Sequence, residues 1–374
     1  MVRSVTHDML PEATADEFSR QQFVVAFKQG LNRGLRSTQG ELFERVVAPA
    51  HHAQHGKPPQ TRDEIRRAMQ AEPAYQAWSS LARAAQEQMW VAVGDSVFRE
   101  RDRLAAKAAR YASAPERKGS LNLDASFTPP RGVTALDIHL QTGGYALDLG
   151  GFDCSAGAMY EVGGNLYAFG QGISRSDSKA AHVQRFIAEK FPALKPLRIL
   201  DMGCSAGSAS VPYALAFPNA EVHAIDVGAG MLRYAHARAE AQGAAVHFHQ
   251  MDVAATTFPD AHFDLIVSHN VMHEISDATR RGMLRESRRL LRPGGVCVHQ
   301  DVPLRFGGLS EFKKFELSWD TSHNNEPYWE VYANADLQPE LLAAGFDPDC
   351  IHVGSLPAAQ GSLPWFVACG WVKA

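Results

Sequence analysis

The chain has 374 residues, 45% hydrophobic and 21% charged, with a formal net charge of −4. That length exceeds one ordinary core and the composition is globular, so two domains are expected and wholesale disorder is excluded. The mild acidity and the lack of any Lys/Arg block argue against a nucleic-acid partner. No apolar run is long enough to span a bilayer and no apolar leader core is recognisable, so a cytoplasmic protein with no membrane partner is expected. Cys154, Cys204, Cys297, Cys350 and Cys369 form no C-x-x-C pair, which points neither to a disulfide framework nor to a structural zinc.

Residues 1–13 are polar. From Thr14 the apolar positions Phe18, Phe23, Val25, Phe27, Leu31 and Leu35 recur at helical spacing, with Gly30 and Gly34 near the end. Gln39–Val47 reads as a short helix stopped by Pro49, and His51, His52 and His55 as part of a solvated loop. Thr61-Arg-Asp-Glu64 has the form of a capping box. Pro73 can open a long helix whose stripe runs through Tyr75, Trp78, Leu81, Ala82, Ala85, Met89 and Val93 to about Tyr111. Residues 1–118 are therefore expected to be a helical domain that makes a homodimer or roofs an active site.

Residues 114–132, rich in Pro, Ser and Gly, read as a linker. Val133–Leu140 and Tyr145–Leu149 alternate like strands about Gly143-Gly144, and Tyr160–Phe169 reads as a hairpin about its glycines. Residues 119–175 are thus expected to be a β-rich segment next to a ligand, with Tyr160 and Tyr167 as candidate contacts. A helix from Ser176 to Lys190 opens the last unit, residues 176–374.

That unit is organised around Arg198-Ile-Leu-Asp-Met-Gly-Cys-Ser-Ala-Gly207. A buried strand runs into Asp201, a tight turn passes through Gly203 and Ser205, and a helix follows. A dinucleotide turn would place glycines at 205 and 208, but both are serine, so an NAD-linked oxidoreductase is disfavoured. Asp201 would oppose two phosphates and suits a cationic ligand. Ala220–Asp226 reads as a second acid-tipped strand, Val246–Asp252 as a third, Leu265–Ser268 as a fourth, and the stretch from Arg292-Pro-Gly-Gly295 through Gln300 as a fifth. Cys350–Leu356 and Trp365–Val372 are closing strands joined by a Gly/Pro/Ser loop.

Asp201-x-Gly203-x-Ser205-x-Gly207 resembles the first motif of the class I S-adenosylmethionine (SAM)-dependent methyltransferases, with Ser205 in place of the middle glycine. The resemblance runs from Ser176 to the C-terminus. It implies an α/β, Rossmann-like, doubly wound seven-stranded sheet with an antiparallel C-terminal hairpin, and SAM as cofactor. It also implies a cofactor site of Asp201, Gly203, Cys204, Ser205, Gly207, Asp226, Val227, Met231, Asp252, Val253 and His269. Asp226 stands where the family holds the ribose and Asp252 where it meets the adenine amino group.

His273-Glu-Ile-Ser-Asp277 is similar to the His-Asp-Trp-Ser-Asp segment of small-molecule O-methyltransferases, whose histidine is a general base. His273 is the candidate base, His269 a second candidate, and Asp301 a group that orients His273 or binds an amine. Trp319, Tyr328, Trp329 and Tyr332 fall where the family places substrate-specificity insertions and suggest a flat acceptor. His269, His273, His299 and Asp301 can be drawn as a metal set, but their spacing carries no established signature, and no metal is expected. The function expected is methylation of a small molecule, on a hydroxyl or carboxyl oxygen in the first place. Two alternatives stay open: N-methylation of a small amine or amide, and a non-catalytic SAM-binding partner protein.

Overall fold

A computed structural model describes residues 6–167, 178–356 and 364–374. One eight-stranded sheet carries the C-terminal half. Its strands are β1 (Ser120–Asn122), β2 (Arg198–Met202), β3 (Glu221–Asp226), β4 (His247–Gln250), β5 (Phe263–His269), β6 (Leu291–Asp301), β7 (Ile351–Leu356) and β8 (Trp365–Trp371). Their order across the sheet is β1-β4-β3-β2-β5-β6-β8-β7. All neighbours pair in parallel except β8, which is antiparallel to β6 and β7.

Buried apolar side chains cover both faces of this sheet. The central strands accordingly read as continuous apolar runs, as expected for a parallel sheet wrapped on both sides. The seven expected strands are present. The eighth, β1, lies inside the stretch read as a linker, and it pairs edge-on with β4 through Ser120↔His247 and Asn122↔His249.

The expected β-rich segment is not β-rich. Val133–Leu140 holds two single helical turns, Arg131–Thr134 and Ile138–Leu140; residues 145–149 form no strand; and Ser155–Tyr167 is a 13-residue α-helix. Gly143-Gly144 do turn, at φ 78° and 61°, but Gly163 of the expected hairpin, like Gly157 before it, serves close packing. A Cβ on Gly157 would lie 2.3 Å from Tyr234 Cβ, and one on Gly163 would lie 2.2 Å from Trp90 Cζ3. The helix therefore wedges between Ala229–Ala241 and the long N-terminal helix Pro73–Arg99, and Glu161 accepts a 2.7 Å hydrogen bond from Tyr234 Oη. Residues 168–169 of the expected hairpin, Ser176 and the loop joining the last two strands lie outside the described residues; the helix expected from Ser176 is seen over Ser178–Lys190.

Three further expectations are corrected. Pro49 does not stop its helix: the run passes through a π-helical stretch, Phe43–Val47, directly into Ala48–His55, and Pro49 falls at the start of that last piece. His51, His52 and His55 therefore stand on a helix. The long helix ends at Arg99, and a second one, Arg101–Ser113, follows. The capping box at Thr61–Glu64 forms as read, and Thr14–Glu17 makes another. The N-terminal helices also grip the C-terminal insertion, through Phe43 stacked on Phe312 at 4.5 Å and Trp78 against Trp319 at 5.6 Å.

Away from the strand ends, His223, His247, His249 and His262 cluster with Phe258 and Glu221, and His223 Nδ1 lies 3.0 Å from His249 Nε2. Burial, reinforced by the facing imidazoles and against the pull of Glu221, pushes His223 and His249 down to about 4. The unfolded chain titrates these groups near ~6.5. Between those values it binds more protons than the fold does, so stability falls as pH drops from about 6.5 toward 4. The thermal midpoint is expected to fall over that window, and less steeply in His249→Gln; an identical slope in the variant would remove this cluster as the cause.

Candidate active site

The carboxyl ends of β2, β3, β4 and β5 meet at one crevice, the place where open α/β sheets bind ligands. A cavity there is lined by Gly203, Ser205, Asp226, Val227, Met231, Asp252, Val253 and His269, with Tyr328 at its side. The turn after β2 needs its glycine: Gly203 has φ +74°, and a Cβ would lie 2.6 Å from Val271 Cγ2. Ser205 keeps the left-handed geometry of the glycine it replaces, at φ 43°, and its N–H donates to Asp226 at 2.9 Å. Gly228 N–H donates to the other Asp226 oxygen at 2.9 Å, and burial pushes this carboxyl up. The arrangement offers an acid at a strand tip, flanked by small residues and bare backbone, which suits a nucleoside.

Asp201, Cys204 and Gly207 do not line this cavity. Asp201 is buried one layer below and accepts from Ser210 Oγ at 2.6 Å; burial pushes its carboxyl up to about 7. It presents no charge to a cationic ligand at the wall. Cys204 is buried in the core, and Gly207 (φ 72°) is a packing position against Ala235.

A second cavity, of about 360 Å³, adjoins the first, and the two share Tyr145, Tyr160, Asn270 and Glu274. Its other walls include Trp90, Tyr167, Trp329 and Trp365, with His139, His273, Asp320 and Glu326. The volume and the aromatic lining suit a small organic acceptor. The expected contacts Tyr160, Tyr167 and Trp329 line it. Tyr328 instead faces the first cavity, and Trp319 and Tyr332 are structural: Trp319 donates its Nε1–H to Ser79 Oγ at 2.8 Å, and buried Tyr332 donates to the Val302 carbonyl at 3.1 Å.

His273 lies at the junction. Its Nδ1 is 2.5 Å from Asp301 Oδ1, and its Nε2 is 3.3 Å from Glu274 Oε1. Asp301 is fully buried and fixed by the Met272 and Val302 amides, each 2.7 Å away. Burial opposes a charge on His273, but the Asp301 and Glu274 carboxylates outweigh it and hold the imidazole up at about 10. Both nitrogens are engaged, so His273 works with its neighbours and not as a lone base. His269 lines the first cavity only; Gln300 and Tyr213 occupy its two nitrogens at 2.7 and 3.2 Å, and burial pushes it down to about 4. His299 is buried between Ser268 and Ser287.

Sequence reasoning missed His139, Tyr145, Asn270, Glu274 and Glu326. Glu274 directly follows His273, and this was the one signal at hand. Asn270 adopts φ 57° just after β5, and the backbone of His139 is likewise left-handed, at φ 55°. Such conformations concentrate at functional sites.

The two cavities thus lie side by side at the strand ends of an α/β sheet, one flanked by acid-tipped strands and bare backbone, the other walled by aromatic side chains. A family model described as "Methyltransferase domain" matches residues 199–295. A malonyl-[acyl-carrier protein] O-methyltransferase of Pseudescherichia vulneris is 32% identical over 209 residues, 52% of this chain and 76% of that one. The demethylmenaquinone methyltransferase of Thermus thermophilus is 34% identical over 108 residues, but the chain spans only 48% of its length. Among solved structures, a putative O-methyltransferase from Nostoc punctiforme aligns over 91% of this chain and 97% of that one, at 14% identity and a TM-score of 0.44. The chain belongs to the class I SAM-dependent methyltransferases. It is an enzyme, and its cofactor is S-adenosyl-L-methionine; the non-catalytic alternative is set aside. Among the described residues, no helix is long and apolar enough to cross a membrane.

Proposed function

We propose that the enzyme methylates an oxygen, hydroxyl or carboxyl, of a small aromatic or apolar acceptor held in the larger cavity. The observation that carries this reading is the shared wall: Tyr145, Tyr160, Asn270 and Glu274 face both cavities, with His273 beside them. SAM occupies the smaller cavity, its ribose on Asp226, its adenine near Asp252 and Val253, and its methionine arm over Gly203 and Ser205. The methyl then points through the shared wall. An acceptor oxygen attacks the methyl carbon in line, the carbon–sulfur bond breaks, and sulfur keeps the electron pair. A hydroxyl acceptor must also lose its proton; the Glu274 carboxylate, set between the His139 and His273 imidazoles and facing both cavities, is the group that takes it, with Asp301 as the positioning residue behind His273.

One observation favours nitrogen as a second reading. Glu274, Asp320 and Glu326 all line the acceptor cavity and would suit a protonated amine. A panel of phenols, aromatic hydroxy acids, carboxylic acids and amines, each with SAM, separates the two by mass of the product. Turnover of hydroxyl or carboxyl compounds above amines is expected; turnover of amines alone would transfer the assignment to nitrogen.

A further inference from the structure

Two histidines from distant parts of the chain aim the same nitrogen at one carboxylate. His139 Nε2 is 2.8 Å and His273 Nε2 is 3.3 Å from Glu274 Oε1. The three ligand atoms lie within 4.8 Å of one another. Tetrahedral bonds of about 2.0–2.2 Å to nitrogen and oxygen give ligand–ligand edges of roughly 3.3–3.6 Å, so this triangle needs only small adjustments to hold an ion.

The outer nitrogens are organised in the same sense. His139 Nδ1 is 2.9 Å from Glu326 Oε1, and His273 Nδ1 is 2.5 Å from Asp301 Oδ1. A carboxylate on Nδ1 keeps the proton at that nitrogen, so that Nε2 is the one that gives up its proton to an ion, and makes Nε2 the more basic donor, as is usual behind metal-bound histidines. Both carboxylates are themselves held, Glu326 by Asn324 Nδ2 at 2.6 Å and Asp301 by two backbone amides. His139 is pinned as well: its carbonyl accepts from Trp90 Nε1 at 2.5 Å and Gln86 Nε2 at 3.0 Å.

We propose that His139, His273 and Glu274 bind one divalent cation of the zinc, cobalt or iron(II) class at the wall between donor and acceptor cavities. Two imidazoles and one carboxylate are the ligand set of borderline transition ions and not of magnesium or calcium. Three protein ligands leave at least one position open, and all three residues line the acceptor cavity, so an acceptor oxygen can take that position. With the ion in place the three residues are ligands and no longer a base, and a hydroxyl bound there ionises with loss of its proton to water. The use of the ion rests on the methyl-transfer reading above; its binding does not.

The test is calorimetric titration of Zn²⁺, and of Co²⁺ with its ligand-field absorption, into full-length protein stripped with chelator. One equivalent is expected to bind to wild type. Glu326→Gln should weaken binding by roughly 10–100-fold, and His139→Ala or Glu274→Gln by more, while Glu326→Gln and His139→Ala, which lie outside the smaller cavity, still bind SAM as a check on folding. Absence of a stoichiometric site in wild type, or equal affinity in His139→Ala, overturns the proposal and leaves the methyl-transfer reading intact. Should the ion bind as expected while no acceptor is turned over, the failure belongs to that reading.

Discussion

Exchange of His273 for alanine lowers methyl transfer by about 10²–10⁴-fold and leaves SAM affinity close to wild type. The imidazole lines the larger cavity and not the smaller one, which is why the two readouts separate. Its loss also strands Asp301, whose Oδ1 then keeps only the Val302 amide. Burying a carboxylate without its cationic partner is costly, so a lower thermal midpoint accompanies the lost turnover. A variant that keeps turnover within a few-fold would show that the junction does no proton chemistry. A variant that loses SAM as well would place His273 on the wrong side of the shared wall. Single-turnover rates are the direct measurement, since they exclude product release.

Asp226→Ala has the opposite signature, a loss of cofactor affinity ahead of any loss of chemistry. Charge-assisted hydrogen bonds are worth about 1.5–3 kcal/mol, so removal of the ribose acceptor weakens SAM by roughly 10–150-fold. The same carboxylate takes the Ser205 and Gly228 amides at 2.9 Å each. Its loss therefore also loosens the turn after β2, and affinity falls toward the upper end of that range. Asp226→Asn keeps one acceptor oxygen and should fall between the two. Calorimetric titration of SAM and S-adenosylhomocysteine reads the effect, and unchanged affinity in the alanine variant would remove Asp226 from the ribose.

The methyltransferase half was legible because its signals are local. Strands buried on both faces are apolar-rich runs, and β2, β3, β4 and β6 run into Asp201, Asp226, Asp252 and Asp301. Eight of the eleven residues expected at the cofactor, His269 among them, line the cavity; of the other three, Asp201 supports the site from below, and Cys204 and Gly207 pack. The segment before the first motif was misread for a definite reason. A glycine that permits a turn and a glycine that lets a helix touch Tyr234 or Trp90 look alike in one dimension, and only the neighbour at 2.2–2.3 Å distinguishes them.

The acceptor side was harder still. His139 meets Glu274 across 135 positions of sequence, and no periodicity or spacing carries that contact. Aromatic residues of the insertion could be counted but not given a face: Trp329 stands edge-on to His273 at 5.4 Å, while Trp319 turns away to Trp78. The pairing of β1 with β4 was hidden by its length of three residues in a Pro- and Ser-rich stretch, too short to show any alternation.

The most direct test of the central claim is a crystal structure of the complex with S-adenosylhomocysteine. The nucleoside is predicted to lie over Asp226 and Asp252, with the sulfur facing the larger cavity between Tyr160 and Asn270. A nucleoside found in the aromatic cavity, or a sulfur turned away from the shared wall, would contradict the assignment of donor and acceptor to these two cavities.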